Sequence, residues 1–190
     1  MIAQDSVLFG NYTLRVMDDA GFDPLYREYR PIIFPTLLGF DVQQALSMEE
    51  QTATARLRER MGTPFRLNVA IYHNQEFIGW SFGRQESAEK YYMVSTAILP
   101  QHQGKGIYSA LLPRILGVLQ REGFQIVYSR HVATNNQVLV PKLKAGFVIT
   151  GIEVSDVFGV LVHLSYFFNP LRRNVPNEQS SRRRTAHRRG

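Results

Sequence analysis

The residues best suited to chemistry sit together at Gln103-Gly104-Lys105-Gly106-Ile107-Tyr108-Ser109. A β-rich apolar run, Met93 to Pro100, ends just before them, and a helical pattern from Ala110 to Leu119 follows. Strand, glycine loop and helix together make an anion site. Backbone N–H groups unshielded by Cβ atoms converge there, and the helix adds the positive end of its dipole. Lys105 supplies a full charge, so the natural ligand is a phosphate or pyrophosphate. Two phosphate motifs do not fit. A P-loop needs a Gly five residues before its Gly-Lys-Ser/Thr, where this chain has Leu99, and Gly106 follows the lysine. The dinucleotide fingerprint, with a third Gly at the helix start and an acidic residue on the second strand, is not met either.

Composition narrows the chemistry further. With 190 residues and 44% of them hydrophobic, the chain is long enough for one domain with a sizeable core. The absence of cysteine excludes disulfides, Cys-ligated zinc, iron–sulfur clusters and a thiol nucleophile. The histidines show no metal-ligand spacing, so no metal is expected. No apolar run is long enough to span a bilayer and no charged-then-apolar leader opens the chain, so a cytoplasmic location with no membrane partner is expected. Seven arginines after Asn169, opposed only by Glu178, carry the whole net charge of +6. Residues 1–169 are therefore balanced, and any affinity for nucleic acid is expected in the tail alone.

Several elements must position the loop. Asn11 to Val16 alternates as a first strand, and Asp23-Pro24 reads as the start of a short helix that Pro31 must stop. The apolar, aromatic stretch Ile32 to Phe40 reads as a core-packing connector, or else as a wall of a binding cleft. Ser47 to Glu50 is a capping-box pattern opening a helix to about Met61. Phe65 to Ile71 alternates as a half-buried strand, His73-Asn74-Gln75 turns, and Phe77 to Phe82 returns. Tyr91 to Leu99 is a third strand whose apolar run suggests burial on both faces. Helix follows from about Ile107 to Glu122, with Pro113 inside it, then strand from Gln125 to Val132. A helical segment from Asn135 to Ala145 and two strands, Phe147 to Val154 and Gly159 to Phe168, complete the core. The expected fold is α+β: a mixed, mostly antiparallel sheet with one parallel strand–helix–strand crossover and helices on both faces. Residues 1–169 read as a single domain and 170–190 as a disordered Arg-rich tail.

This order of elements, with the glycine loop after the third hairpin strand, resembles the GNAT superfamily of acyl-CoA-dependent N-acetyltransferases. Three features over residues 11–168 carry the resemblance. Ala97-Ile98-Leu99-Pro100 is similar to the end of the family's fourth strand, and Gln103-Gly104-Lys105-Gly106-Ile107 to its coenzyme-A pyrophosphate loop. Asn135 followed by Gly146-Phe147 is similar to its next motif. The chain departs from the family pattern at three places. Tyr108 stands at the loop's last Gly/Ala. Lys142 stands where the family often has a general-acid Tyr, and Tyr92 where some members carry a Glu base.

The resemblance implies acetyl-CoA as acyl-donor co-substrate, its pyrophosphate on the N–H groups of Gln103 to Ser109. Pantetheine is then expected between the strands Tyr91–Leu99 and Gln125–Val132, pairing near Thr96 and Ile98, with Asn135 also in the cofactor site. The implied reaction is direct acetyl transfer to an amine, either of a small molecule or of a protein. Tyr92 and His131 are candidates for proton handling, with Ser95 acting through water. Lys142 could supply a positive end to the leaving thiolate, or be a solvated helix-face lysine. If strand parity turns Arg130 rather than His131 into the cleft, an anionic substrate group is favoured. His163 reads as a core or cleft-edge residue, and Tyr26, Tyr29, Phe34 and Phe40 as an acceptor cleft or simply a cover for the sheet. Two rival readings are a coenzyme-A-binding module with little catalysis and a nucleic-acid-associated protein acting through the tail.

Overall fold

A computed structural model describes residues 5–35 and 46–173. Phe40 and the arginines from Arg182 onward lie outside the described residues. The described strands are β1 (Asp5–Phe9), β2 (Tyr12–Met17), β3 (Arg66–His73), β4 (Glu76–Gln85), β5 (Lys90–Ile98), β6 (Ile126–Val132), β7 (Val148–Ser155) and β8 (Gly159–Phe167). They form one sheet in the order β1-β2-β3-β4-β5-β6-β8-β7. Every pairing is antiparallel except β5 with β6. The helices are α1 (Asp19–Ile33), α2 (Met48–Met61), α3 (Ile107–Arg121) and α4 (Asn136–Lys144), with a 3₁₀ turn at Pro100–His102. The mixed sheet and single parallel crossover are as the sequence implies; β1 was not foreseen.

Two apolar layers hold helices to opposite faces of the sheet. One joins Leu67, Val69, Ile71, Tyr91 and Met93 to Ile107, Leu111, Ile115 and Leu119 of α3. The other joins Phe22 of α1 to Ala70, Phe77, Trp80 and Ala97. Alternation of side chains along the strands gives the division, with its phase reset on β4 and β5 by irregularities in the β3–β4 and β4–β5 pairings, so that Met93 faces α3 and Ala97 faces α1.

Three sequence-based expectations require correction. The first helix does not begin at Asp23: Asp18 is the N-cap, its carboxylate accepting from Gly21 N at 2.8 Å, and α1 runs through Pro24 and Pro31 to Ile33. Each proline removes one backbone bond, but Phe22, Tyr26 and Tyr29 pack on the sheet's aromatic face and hold the helix against that loss. Strand β3 is buried on both faces rather than half-buried, because α1 and α3 cover it from the two sides. Strand β5 is the reverse: Tyr91, Met93 and Ala97 are buried, whereas Tyr92, Val94, Ser95, Thr96 and Ile98 are half-exposed. Its outer half has lost one neighbour, and that loss builds the site.

The α2 capping box forms as expected. Ser47 Oγ accepts from Glu50 N and the Glu50 carboxylate from Ser47 N, at 3.2 and 2.8 Å. Gly62 ends the helix. The turn at Asn74-Gln75 takes two positive φ angles, as a two-residue hairpin loop requires.

Candidate active site

Strands β5 and β6 pair only from Lys90 to Tyr92 and from Ile126 to Tyr128. Beyond Tyr92 and Tyr128 they part, leaving a fork open toward Ile98 and Val132. Leu99 N donates to Ile78 O of β4 at 2.8 Å, so alternation turns the backbone groups of Ile98 to the opposite edge, facing the fork. The Ile98 carbonyl accepts from Gln103 Nε2 at 2.8 Å, which ties the glycine loop to the strand.

A cavity of about 470 Å³ opens at the mouth of the fork. Thr96, Ala97 and Ile98 line it from β5, Gln103, Gly104, Gly106 and the first turn of α3 from the loop, and Asn135, Gln137, Val138 and Pro141 from α4. Ile33 and Phe34 close it from α1. Gly104 and Gly106 hold φ of +73° and +78°, a conformation that an L side chain adopts only at a cost. Gly106 is the N-cap of α3 and offers no side-chain acceptor, so the first N–H groups of the helix are left to whatever occupies the cavity. Asn135 caps α4 without a side-chain bond to its backbone. Lys105 is exposed and is not part of the lining. The Tyr108 side chain packs against the core beside α3, and burial raises its hydroxyl pKa.

Strand parity separates the candidate side chains onto two faces. On the α1 face, Arg130 Nη2 donates to Tyr92 Oη at 3.4 Å, and its guanidinium lies 5.1 Å from the centre of the Tyr92 ring. Arg130 also pairs with Glu153 at 3.2 Å, and the Glu153 carboxylate lies 2.7 Å from His163 Nε2. These two contacts, His163 first, lower the Glu153 pKa. Tyr92 stacks on Tyr128, whose hydroxyl donates to Glu86. Ser95 accepts from Trp80 Nε1 at 3.0 Å.

On the opposite face the structure overturns the reading of Lys142 as a solvated lysine. It is 1% exposed, with Nζ donating to Ser129 Oγ, 3.6 Å from Met93 Sδ and 4.8 Å from the centre of the Phe147 ring. Burial lowers its pKa to about 7. His131 Nε2 lies 2.9 Å from the same Ser129 oxygen, and burial, then the charge on Lys142, lower its pKa to about 3. Tyr92 and Arg130 thus lie on one side of the sheet, and His131 and Lys142 on the other.

The aromatic residues of α1 mostly cover the sheet. Tyr26 and Phe34 sit edge-on to Trp80 at 5.1 and 6.1 Å, and Tyr29 packs on Phe77. Of this group only Phe34 reaches the cavity. His102 was missed in the sequence although it directly precedes the loop. It is buried at the cavity edge, Tyr12 Oη lies 3.3 Å from its Nδ1, and burial and Lys105 lower its pKa. Among the described residues, no group of three or more His, Asp or Glu could hold a metal ion, and no helix is long and apolar enough to cross a membrane. Arg172 and Arg173, at the start of the basic tail, lie over the rings of Phe167 and Tyr166.

A sheet forked beside a glycine loop and a helix N-terminus is the architecture of an acyl-coenzyme-A-dependent transferase. The family model described as the acetyltransferase (GNAT) family matches residues 25–147, and the chain belongs to that family, whose acyl donor is acetyl-CoA. The yncA protein of Salmonella typhimurium, solved with its cofactor acetyl-CoA, shares the fold at TM-score 0.60 and 17% identity, over 84% of this chain and 95% of that one. The ribosomal-protein-S18-alanine N-acetyltransferase of Escherichia coli does so at 0.57 and 17%, over 82% and 93%. The ribosomal-protein-S5-alanine acetyltransferase of Vibrio fischeri does so at 0.62 and 12%, over 87% and 97%. No curated protein matches by sequence.

Proposed function

We propose that this protein transfers an acetyl group from acetyl-CoA directly to an amine, with the donor lying across the mouth of the fork. The single observation that carries the reading is the parting of β5 and β6 after Tyr92 and Tyr128, with the cavity beyond it lined by Thr96, Ile98 and the glycine loop. The N–H groups of Gly104 to Ser109 hold the pyrophosphate, the Gln103 N–H being taken by the Pro100 carbonyl. Asn135 contacts the same donor, and pantetheine pairs along Thr96 and Ile98.

The Ile98 N–H, turned toward the fork, stabilises the oxyanion that forms when the amine attacks the thioester. Loss of one such donor typically costs about 3 kcal/mol of barrier. The amine must be neutral to attack, and a free lysine-type amine with a pKa near 10.4 is almost fully protonated at pH 7, an α-amine of about 8 mostly so. Without cysteine there is no acyl-thiol intermediate, and attack within a ternary complex is the direct route.

The acceptor approaches from the α1 face, where Tyr92 and Arg130 flank the fork. Arg130 on that face suits an acceptor that carries an anionic group near its amine. Small-molecule amines that carry a carboxylate or phosphate, and protein N-termini followed by an acidic residue, both fit this description, and two of the similar structures are enzymes acting on ribosomal-protein alanines.

The test is calorimetry with acetyl-CoA, paired with free-thiol release on a panel of small amines and peptides with free N-termini. Binding together with acceptor-dependent thiol release is expected. Binding without release on any acceptor would favour a coenzyme-A-binding module, and no binding would exclude both.

A further inference from the structure

We propose that the large cavity between α1, α2 and the sheet receives a peptide whose free N-terminus is followed by acidic residues, with Arg84 binding a carboxylate and Asn68 accepting an N–H. The inference deepens the acyl-transfer reading above and rests on it. The cavity measures about 1030 Å³ and lies on the α1 face, the side from which the acceptor approaches. The first turn of α1, the end of α2 and strands β3, β4 and β5 wall it. On β5 it reaches Val94, two residues past the last β5–β6 pair, so it opens beside the fork. Val94 has no partner on β4, where Phe82 pairs with Ser95 and Gly83 with Met93. A bulge of this kind re-aims a side chain, and here it turns Val94 into the cavity wall.

Two groups on the wall lack a partner, and their chemistry defines the ligand. Arg66, Arg84 and Tyr92 stand in one row across β3, β4 and β5. Like charges directly opposite one another destabilise a sheet. Asp19 offsets Arg66, whose Nη1 donates to it at 2.8 Å, but among the described residues no acid pairs with Arg84. The other acids at the wall are engaged elsewhere: Asp18 caps α1, and Glu86 accepts from Tyr128. The row therefore calls for an anion from outside. Arg130 lies over the Tyr92 ring from the β6 side and carries the positive charge on to the fork.

Asn68 supplies the complementary half. It is 2% exposed, and its Nδ2 donates to Asp19 Oδ1 at 2.7 Å, which fixes the amide and leaves Oδ1 without a donor. A buried acceptor left unpaired is costly, and a ligand N–H completes it, directly or through one water. An acceptor for an N–H and a cation for a carboxylate in one cavity match a peptide with an acidic side chain. Size favours a peptide over a single amino acid, since sites for drug-sized ligands run roughly 300–1,000 Å³. Helix α2 buries no side chain, and Met61, which lines the cavity, is 71% exposed. A peptide in the cavity packs against Met61 and steadies α2.

The test uses the full chain with coenzyme A bound and two peptides with a free N-terminus, one carrying Asp-Glu at its second and third positions and one carrying Asn-Gln there. Calorimetry reads binding, and thiol release from acetyl-CoA reads transfer. The acidic peptide should bind about tenfold tighter than the neutral one, the effect of one charge-assisted contact, and tighter than free aspartate. Arg84 is exposed, so its replacement leaves the fold intact. Arg84→Gln should bring the two peptides level, and Arg84→Glu should reverse the order in favour of a Lys-Lys peptide. The acidic peptide should also slow amide exchange over residues 48–61. Acidic and neutral peptides that bind alike overturn the proposal, as does a preference that survives Arg84→Gln. Free aspartate that binds as well as the acidic peptide overturns the peptide class. An Arg84-dependent preference without thiol release on any acceptor supports the site and counts against the acyl-transfer reading. Thiol release with no such preference does the reverse.

Discussion

Lys142 Nζ donates to Ser129 Oγ one residue beyond the last β5–β6 pair, so the amine of α4 fills the apex of the fork. Both groups are buried, and among the described residues the lysine has no acidic partner. Its pKa near 7, against 10.5 when free, makes the fold sensitive to pH. The unfolded chain binds the proton over a range where the folded chain does not, so stability rises as pH increases from about 7 toward 10.5. Each pH unit contributes up to about 1.4 kcal/mol, which amounts to a few kcal/mol over the window. Urea unfolding across pH 6.5 to 10 should show the rise, and Lys142→Met should remove most of it. A flat wild-type profile would mean that burial does not lower the Lys142 pKa in the folded chain.

His131 adds a second window below the first. Its folded pKa near 3, against 6.5 when free, means that stability is lost as pH falls from about 6.5 toward 3. His131→Phe should be less acid-sensitive than the wild type. Thermal melts at pH 4.5 and 7 would show a smaller drop for the variant, and an equal drop would contradict the burial of the ring.

Gly106 carries φ of +78° at the N-cap of α3. Gly106→Val places a β-branched side chain in a left-handed conformation, at a cost of roughly 1–2 kcal/mol. That strain is present before the donor binds, so it lowers stability by this amount where the loop keeps its shape, or lowers acetyl-CoA affinity by up to about tenfold where the loop relaxes instead; thermal melts and calorimetry read the two. Unchanged affinity with unchanged stability would place the coenzyme elsewhere.

Among the described residues the second helix, α2, buries no side chain, and its capping box is complete. Ser47→Ala should cost the helix about 1 kcal/mol. Because α2 contributes so little to the core, the loss should appear as faster amide exchange over residues 48–61 while the global melting temperature hardly moves. A clear fall in the global melting temperature would show that α2 is coupled to the rest of the fold.

Much of the fold was legible because local signals agreed with one another. Gly62 and the Ser47 capping box bound α2, Asn74-Gln75 bounds a hairpin, and Gly104 and Gly106 stand between strand and helix. The failures have a common cause in tertiary contacts. Pro24 and Pro31 read as helix limits, yet aromatic packing of Phe22 and Tyr26 carries α1 through both. The apolar run of β5 reads as doubly buried, but half its length has no β6 beside it, and pairing distance is not encoded in hydropathy.

The site divides the same way. The glycine loop was visible because backbone conformation has a residue signature. The environment of Lys142 was not, because its burial depends on Met93, Ser129 and Phe147, which come together only when three separate elements pack. The parity of Arg130 and His131 likewise needed the β6–β8 register, in which Arg130 pairs with His163.

The fork between β5 and β6 is proposed to receive an acyl-coenzyme A. A crystal structure with acetyl-CoA bound tests it most directly. The pyrophosphate is expected within hydrogen-bond distance of the N–H groups from Gly104 to Ser109, with pantetheine between β5 and β6 and the thioester oxygen facing the Ile98 N–H. Acetyl-CoA bound away from the fork, or a fork that closes into continuous β5–β6 pairing, would contradict it.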